Sequence, residues 1–137
     1  MALFKPDPTF HASPADAAAA PPETLAYVLT LNTGTDGDRA PDALSVLDLD
    51  PASSTYGTIV GRLDMPNVGD ELHHFGWNAC SSALCPWAAH PHVERRYLLV
   101  PGLRSSRIHV IDVKGDRHKP EIVKVICLLY TSPSPRD

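Results

Sequence analysis

The sequence has few cysteines, no excess of basic residues and no long hydrophobic run. Its 137 residues include three cysteines, an odd number that favours reduced thiols over a disulfide framework. The formal net charge of −4 leaves no basic stripe for phosphates, so we expect no nucleic-acid partner. Apolar runs are too short to span a membrane, and the N-terminus lacks a signal-peptide pattern. We therefore expect one cytoplasmic domain with one core and no membrane partner.

The two ends of the chain differ in composition from the part between them. Residues 1–24 are rich in proline and alanine, and because proline disrupts helices and sheets we predict a loose arm. Residues 127–137 match the translation of a transposase-type sequencing adaptor, so we expect the native reading frame to be cut near Ile126 and the remaining residues not to be native. The folded domain is then predicted to lie within residues 25–126.

Within this range, short apolar runs alternate with turn-rich stretches, which predicts an all-β fold. Strict alternation over 107–113 places His109, Ile111 and Val113 on one face of a strand. The predicted strands cover residues 25–31, 43–49, 56–63, 96–101, 107–113 and 120–126.

The two halves of the predicted domain resemble each other. In each, a strand ends in two apolar residues, an aspartate (Asp48 or Asp112) and one further apolar residue. In each, this strand lies between an earlier and a later apolar strand. Such a repeated three-strand unit is typical of successive β-propeller blades. A single antiparallel sandwich of six strands is the alternative.

One irregular segment, residues 65–82, carries most of the reactive side chains. It has neither the period of a strand nor that of a helix, and this is typical of a functional loop on a rigid scaffold. Two imidazoles beside a thiol favour a transition metal over an organic cofactor. The candidate site residues are Asp70, Glu71, His73, His74 and Cys80.

The motifs that carry a family resemblance cover residues 39–42, 48–51, 62–67, 70–74, 76–78, 80–82, 99–103 and 105–108. In order, interval and residue type they resemble the selenium-binding protein family, whose members include methanethiol oxidases. The resemblance spans about Leu25 to Ile126. Family members are several times longer and form a closed seven-bladed β-propeller. The resemblance therefore implies that this chain holds the first blades of such a propeller, with the ring not closed.

The resemblance also implies an activity, the oxidation of methanethiol by O₂ and water to formaldehyde, hydrogen sulfide and hydrogen peroxide. Methanethiol-oxidising members use copper, which agrees with imidazole ligands and a soft thiolate substrate. No side chain in the sequence performs this chemistry without a cofactor. A small thiol and O₂ are then the expected substrates, and the fragment itself is expected to be inactive. The alternative is a non-catalytic propeller that binds selenium compounds or protein partners.

The adjacent histidines are the candidate metal ligands. On extended backbone His73 and His74 point to opposite sides, so both reach one metal only if the backbone bends. We expect one to bind copper and the other to orient it or to contact Asp70 or Glu71. The two acids are candidates for proton transfer, with a solvated loop face as the alternative. Cys80 is a candidate catalytic thiol, with a buried inert thiol as the alternative.

Other residues near the motif have weaker claims to a function. The spacing of Cys80, Cys85, His90 and His92 is not that of a usual zinc finger, so structural zinc is a weak alternative. We expect no role for Cys85 beyond that alternative. Trp77 is expected to form part of the core or the wall of a pocket.

The chain departs from the family pattern at one position. Several family members carry a selenium-linked cysteine directly after the tyrosine that matches Tyr56, and here that residue is Gly57. The departure argues against selenium binding at this position.

Overall fold

The structure, a computed structural model, describes residues 6–32, 34, 39–79 and 91–127. One short helix precedes seven strands in this part of the chain. The elements are α1 Pro14–Ala19, β1 Leu25–Thr30, β2 Ala43–Asp48, β3 Ile59–Asp64, β4 Gly76–Trp77, β5 Tyr97–Gly102, β6 Arg107–Asp112 and β7 Glu121–Cys127. The first sheet has the order β1-β2-β3, and the second sheet has the order β4-β5-β6-β7.

Both sheets are antiparallel meanders in which every strand pairs with the next strand along the chain. This arrangement confirms the all-β prediction and the succession of two blade-like units, without a closed ring. The six predicted strands correspond to β1, β2, β3, β5, β6 and β7. The remaining strand, β4, has two residues and therefore no period that sequence could reveal.

The two sheets share one pairing register. The ladder between β1 and β2 starts with Leu25 opposite Asp48, and the ladder between β5 and β6 starts with Tyr97 opposite Asp112. Each ladder has six residue pairs. The pairing to the following strand then shifts after the fourth residue of both β2 and β6, which is the signature of a β-bulge. The repeat seen in the sequence is therefore a repeat of backbone geometry.

The repeated aspartate has the same structural role in both sheets. The carboxylate of Asp48 accepts the N–H of Asp50 at 2.9 Å, and that of Asp112 accepts the N–H of Lys114 at 2.9 Å. Such a bond two residues onward forms an Asx turn, which ends the strand.

The core combines residues of both sheets and of the connection between them. Its fully or nearly fully buried members are Leu44, Met65, Leu72, Leu98, Val100, Ile111 and Val113. The predicted alternation in β6 is confirmed, because His109, Ile111 and Val113 are buried whereas Ile108 and Val110 are half-buried.

The proline- and alanine-rich segment contains α1, which composition alone did not predict. The Ser13 hydroxyl caps the helix by accepting the N–H of Asp16 at 3.1 Å, and Pro14 takes the first helical position. Proline is compatible with that position because its missing N–H would have had no helical partner. With six residues, α1 is too short to cross a membrane, and the described residues contain no longer helix.

The same segment also contacts the second sheet. The Thr9 hydroxyl accepts the N–H of Arg95 at 3.0 Å. The Glu23 carboxylate lies 3.5 Å from the guanidinium of Arg95 and 3.1 Å from that of Arg117. These contacts tie the part of the chain that precedes β1 to the second sheet.

Candidate functional site

The candidate site lies on the connection from β3 to β4, residues 65–75, here called the site loop. The loop begins at Met65, which is buried in the core. Its middle pairs with the end of β5, where the N–H of His73 donates to the Pro101 carbonyl at 2.9 Å and Leu72 forms a bridge with Gly102. Backbone hydrogen bonds therefore fix the middle of the loop to the second sheet.

A buried carboxylate outside the loop also holds it in place. Asp42 is 3% exposed, and its two oxygens accept the N–H groups of Leu72 at 3.0 Å and Asn32 at 2.9 Å. The loop is thus attached to the first sheet as well as to the second. The sequence motifs included Asp42 but did not indicate this role.

The site loop contains unusual backbone angles at two of the candidate residues. Glu71 has φ 51° and His74 has φ 47°, in the left-handed region that side chains rarely adopt. The loop therefore bends at the second histidine. The rings of His73 and His74 lie 3.9 Å apart between centroids at an interplanar angle of 85°, and both side chains are exposed. The bend brings together two imidazoles that extended backbone would separate.

The two imidazoles supply the ligand type that copper and other late transition metals prefer. Within the described ranges, no group of three or more His, Cys, Asp or Glu residues could hold a metal ion. His73 and His74 could supply two nitrogen ligands, and the described residues place no third donor of these types beside them.

The two candidate acids lie in ion pairs. Asp70 is 1% exposed, and its carboxylate lies 3.2 Å from Nη1 of Arg107 and 3.4 Å from Nε2 of His109. Glu71 is half-buried and pairs with Arg104. Asp70 is thus a charge inside the protein, whereas Glu71 lies in an ion pair at the surface.

The partners of these acids, Arg104, Arg107 and His109, had no role assigned from the sequence. All three lie on β6 or on the turn before it. One signal was available for His109, since a histidine on the apolar face of a strand is buried and must find a hydrogen-bond partner. No comparable signal marks Arg104, because its position follows from the pairing of the site loop with the turn.

A groove of about 530 Å³ borders the site loop. Its wall includes Val68, Gly69 and Glu71 of the loop, together with Arg104. The imidazoles of His73 and His74 are not part of that wall. The groove therefore gives solvent access to the Glu71–Arg104 pair.

A second groove, of about 520 Å³, lies toward the other end of β5 and is lined in part by Trp77. The Trp77 ring packs edge to face on Tyr27 with centroids 6.1 Å apart, and the Arg95 guanidinium lies 5.1 Å from its centroid. Burial raises the pKa of Tyr27 above its ordinary value. Trp77 forms part of a pocket wall in this arrangement.

The remaining candidates concern thiols. Cys80, Cys85 and His90 lie outside the described residues, so the catalytic thiol and the zinc alternative both stay predictions. Their fourth member, His92, is half-buried.

Comparison with known proteins relates most of the chain to one family. The family model of the 56 kDa selenium binding protein (SBP56) matches residues 4–129. Selenium-binding protein 2 of Arabidopsis thaliana is 47% identical over 116 residues, which cover 85% of this chain and 23% of the relative. Methanethiol oxidase of Mus musculus is 42% identical over 118 residues, which cover 85% of this chain and 24% of the relative.

A solved structure agrees with this relation. The hypothetical selenium-binding protein from Sulfolobus tokodaii is 56% identical and superimposes with a TM-score of 0.77. The match covers 88% of this chain and 26% of the Sulfolobus chain. This chain thus spans about a quarter of the length of the relatives it matches.

Proposed function

The chain belongs to the 56 kDa selenium-binding protein family, and from this premise we propose that its parent protein is a copper-dependent methanethiol oxidase. By parent protein we mean a longer polypeptide of which this chain forms a part. The proposed reaction converts methanethiol, O₂ and water into formaldehyde, hydrogen sulfide and hydrogen peroxide. Relatives that bear the name methanethiol oxidase support this reaction class.

The paired imidazoles carry the proposal. His73 and His74 are exposed and lie 3.9 Å apart between ring centroids, on a loop fixed to both sheets. They would donate nitrogen ligands to copper, together with donors supplied by other parts of the parent protein. Bound copper would supply the one-electron chemistry that oxidation of a thiol by O₂ requires.

The neighbouring residues would prepare the site rather than react. Asp70 and Asp42 hold the loop through buried contacts, so the histidines need little reorganisation to accept a metal. Glu71, with Arg104, borders the groove of about 530 Å³ and is the acid best placed to exchange protons with solvent. Cys80 follows the site loop closely in sequence and remains a candidate thiol in the same proposal.

The test measures copper and peroxide together in the parent protein. His73→Ala should lower both the copper content, by elemental analysis, and the peroxide released from methanethiol. His118→Ala serves as the matched control, because His118 is an exposed histidine on the turn before β7. Unchanged copper content in His73→Ala would reject His73 as a ligand. Full activity after removal of all metal would reject the proposal.

A second candidate function is a non-catalytic propeller that binds selenium compounds or protein partners, as the names of several relatives suggest. One observation weakens the selenium part of it. Gly57 has φ 75°, a conformation that strains a cysteine, and this residue replaces the family's selenium-linked cysteine. The sequence of the downstream blades distinguishes the two functions, since the oxidase needs further metal donors there.

A further inference from the structure

A buried histidine beside the site loop has no part in the function proposed above. His109 in β6 is fully buried, and Asp70 of the site loop is 1% exposed. Nε2 of His109 lies 3.4 Å from Oδ2 of Asp70, and neither atom has a hydrogen-bond partner among the described residues. Buried polar atoms without a partner are rare in folded proteins, so this pair requires a physical account.

The surroundings of the ring determine how many protons the pair holds. Nδ1 of His109 lies 3.3 Å from the Val100 carbonyl oxygen, which can only accept a hydrogen bond. Nδ1 must therefore carry the hydrogen, and Nε2 of a neutral ring would present a lone pair to the carboxylate of Asp70. Two lone pairs at this distance repel each other, whereas one added proton turns the contact into an ion pair between an imidazolium and a carboxylate.

Arg107 indicates where that proton resides. Its Nη1 lies 3.2 Å from Oδ1 of Asp70, so the guanidinium and this carboxylate form an ion pair. The proton then belongs to the ring, and the carboxylate of Asp70 lies between two cations, Arg107 and His109. The neighbouring Glu71–Arg104 pair carries no net charge and leaves this balance unchanged.

Asp70 lies where the site loop begins to pair with the second sheet. The backbone carbonyl of Asp70 accepts the N–H of Arg104 at 3.2 Å, and the backbone pairing continues to His73. Glu71 and His74 in this stretch hold left-handed backbone, which persists only where surrounding contacts enforce it. The side chain of Asp70 provides such a contact, because it joins this stretch to β6.

We propose that His109 is a positioning residue of the site loop, which it holds against β6 by a proton shared with Asp70. The position of His73 and His74 then depends on a residue that touches neither ring. The inference deepens the proposed function, and only its copper readout rests on that function.

The protonation of the His109 ring is tested by NMR at about pH 7 on the metal-free parent protein labelled with nitrogen-15 histidine. We expect both ring nitrogens of His109 to carry hydrogens protected from exchange, in signals that His109→Gln removes. Asp70→Asn should leave a neutral ring with hydrogen on Nδ1 only, because the asparagine amide donates to Nε2. An unprotonated Nε2 in the wild-type protein, or a signal unaffected by Asp70→Asn, would overturn the proposal.

The positioning role is tested by amide hydrogen exchange of residues 70–74 in the same metal-free protein. His109→Phe should accelerate exchange by about tenfold or more, since the phenyl ring offers no donor to Asp70. His109→Gln should stay near the wild-type rate, because its amide can donate, and the surface variant His118→Gln controls for loss of a histidine. Should His109→Phe fail to fold, His109→Ser takes its place with the same expectation, because the serine hydroxyl is too short to reach Asp70 from the position of Nε2.

Copper binding provides the last readout. The Phe or Ser variant should weaken copper affinity by about 10- to 100-fold, and the Gln variant should weaken it less. An exchange rate that stays at the wild-type level in His109→Phe, or in His109→Ser where the Phe variant does not fold, would overturn the positioning role. A parent protein that binds no copper would reject the proposed function, while the NMR and exchange results would still decide the inference.

Discussion

The three strands of the first sheet and the last three strands of the second follow one another in the same order and share one register in their first ladder. Among the described residues, only the second sheet carries the charged cluster beside the candidate site. The third residue of the middle strand is buried in both, as Ser45 in β2 and His109 in β6. The Ser45 hydroxyl lies 3.3 Å from that of Thr30, whereas the His109 ring faces the carboxylate of Asp70. The difference teaches that the same backbone frame holds a neutral polar pair in one sheet and a charged cluster in the other, and that the residue at the inward position of the strand is one of the conditions.

A second difference lies at the end of the preceding strand. The first sheet has Thr30 there and the second has Gly102, each at the equivalent ladder position. A Cβ atom on Gly102 would lie 3.0 Å from the carbonyl oxygen of Asp70 and 3.3 Å from its Cβ. The missing side chain thus allows the site loop to approach the second sheet closely.

The largest predicted effect tests whether the sheets share one core. Leu44 of β2 and Leu98 of β5 are both fully buried in the same cluster. Leu44→Ala and Leu98→Ala should each lower the free energy of unfolding of the parent protein by about 2–5 kcal/mol, because each leaves a cavity. Leu103→Ala is the control, since this side chain is 63% exposed. Urea denaturation measures the free energy of unfolding of all three variants. Destabilisation by only one of the two core substitutions would contradict a core shared by the two sheets.

A smaller effect tests the close approach of the two sheets. Gly61 in β3 has space for no side chain, because a Cβ atom there would collide with the backbone carbonyl of His118 in the turn between β6 and β7. Gly61→Ala should therefore destabilise the parent protein by about 1–3 kcal/mol. Gly115→Ala is the matched control, since nothing lies within 4 Å of a Cβ atom at that position. Equal unfolding midpoints for the two variants would contradict the contact.

The smallest effect compares the repeated aspartates. Hydrogen bonds from Ser53 and Thr55 hold the pKa of Asp48 below its ordinary 3.8, and hydrogen bonds from Arg96 do the same for the pKa of Asp112. A carboxyl whose pKa is lower in the folded state contributes stability above its ordinary pKa, and this contribution is lost as pH falls through the folded-state value. Urea unfolding between about pH 7 and pH 3 measures this loss.

Asparagine at either position keeps an acceptor for the turn N–H and removes the charge. Asp112→Asn should flatten the pH dependence more than Asp48→Asn, because it also ends the ion pair with Arg96. A larger flattening in Asp48→Asn would show that the hydroxyl contacts of the first sheet outweigh the ion pair of the second.

Much of the fold followed from local patterns. Alternation predicted β6 and the division of its residues between two faces, and the Asp48 and Asp112 repeat predicted two equivalent units. The short strand β4 was missed because two residues carry no period. Helix α1 was missed because proline at its first position is tolerated, although proline elsewhere breaks helices.

The candidate site was predictable only in part. The density of polar residues on irregular sequence singled out residues 65–82, which include the site loop. The sequence also indicated that His73 and His74 can reach one metal only if the backbone bends between them. The bend occurs at His74, with φ 47°. The partner of Asp70, in contrast, was hidden, since Arg107 lies 37 residues further along the chain.

Residue order was sufficient to establish the strands and the family, because periodicity and motif spacing are properties of neighbouring residues along the chain. Folding decided which side chains meet. The ionic cluster of Asp70, Arg107 and His109 exists because Gly102 leaves room for the loop and the register of β6 turns His109 inward. Those conditions join distant segments, and only packing against a common core satisfies them together.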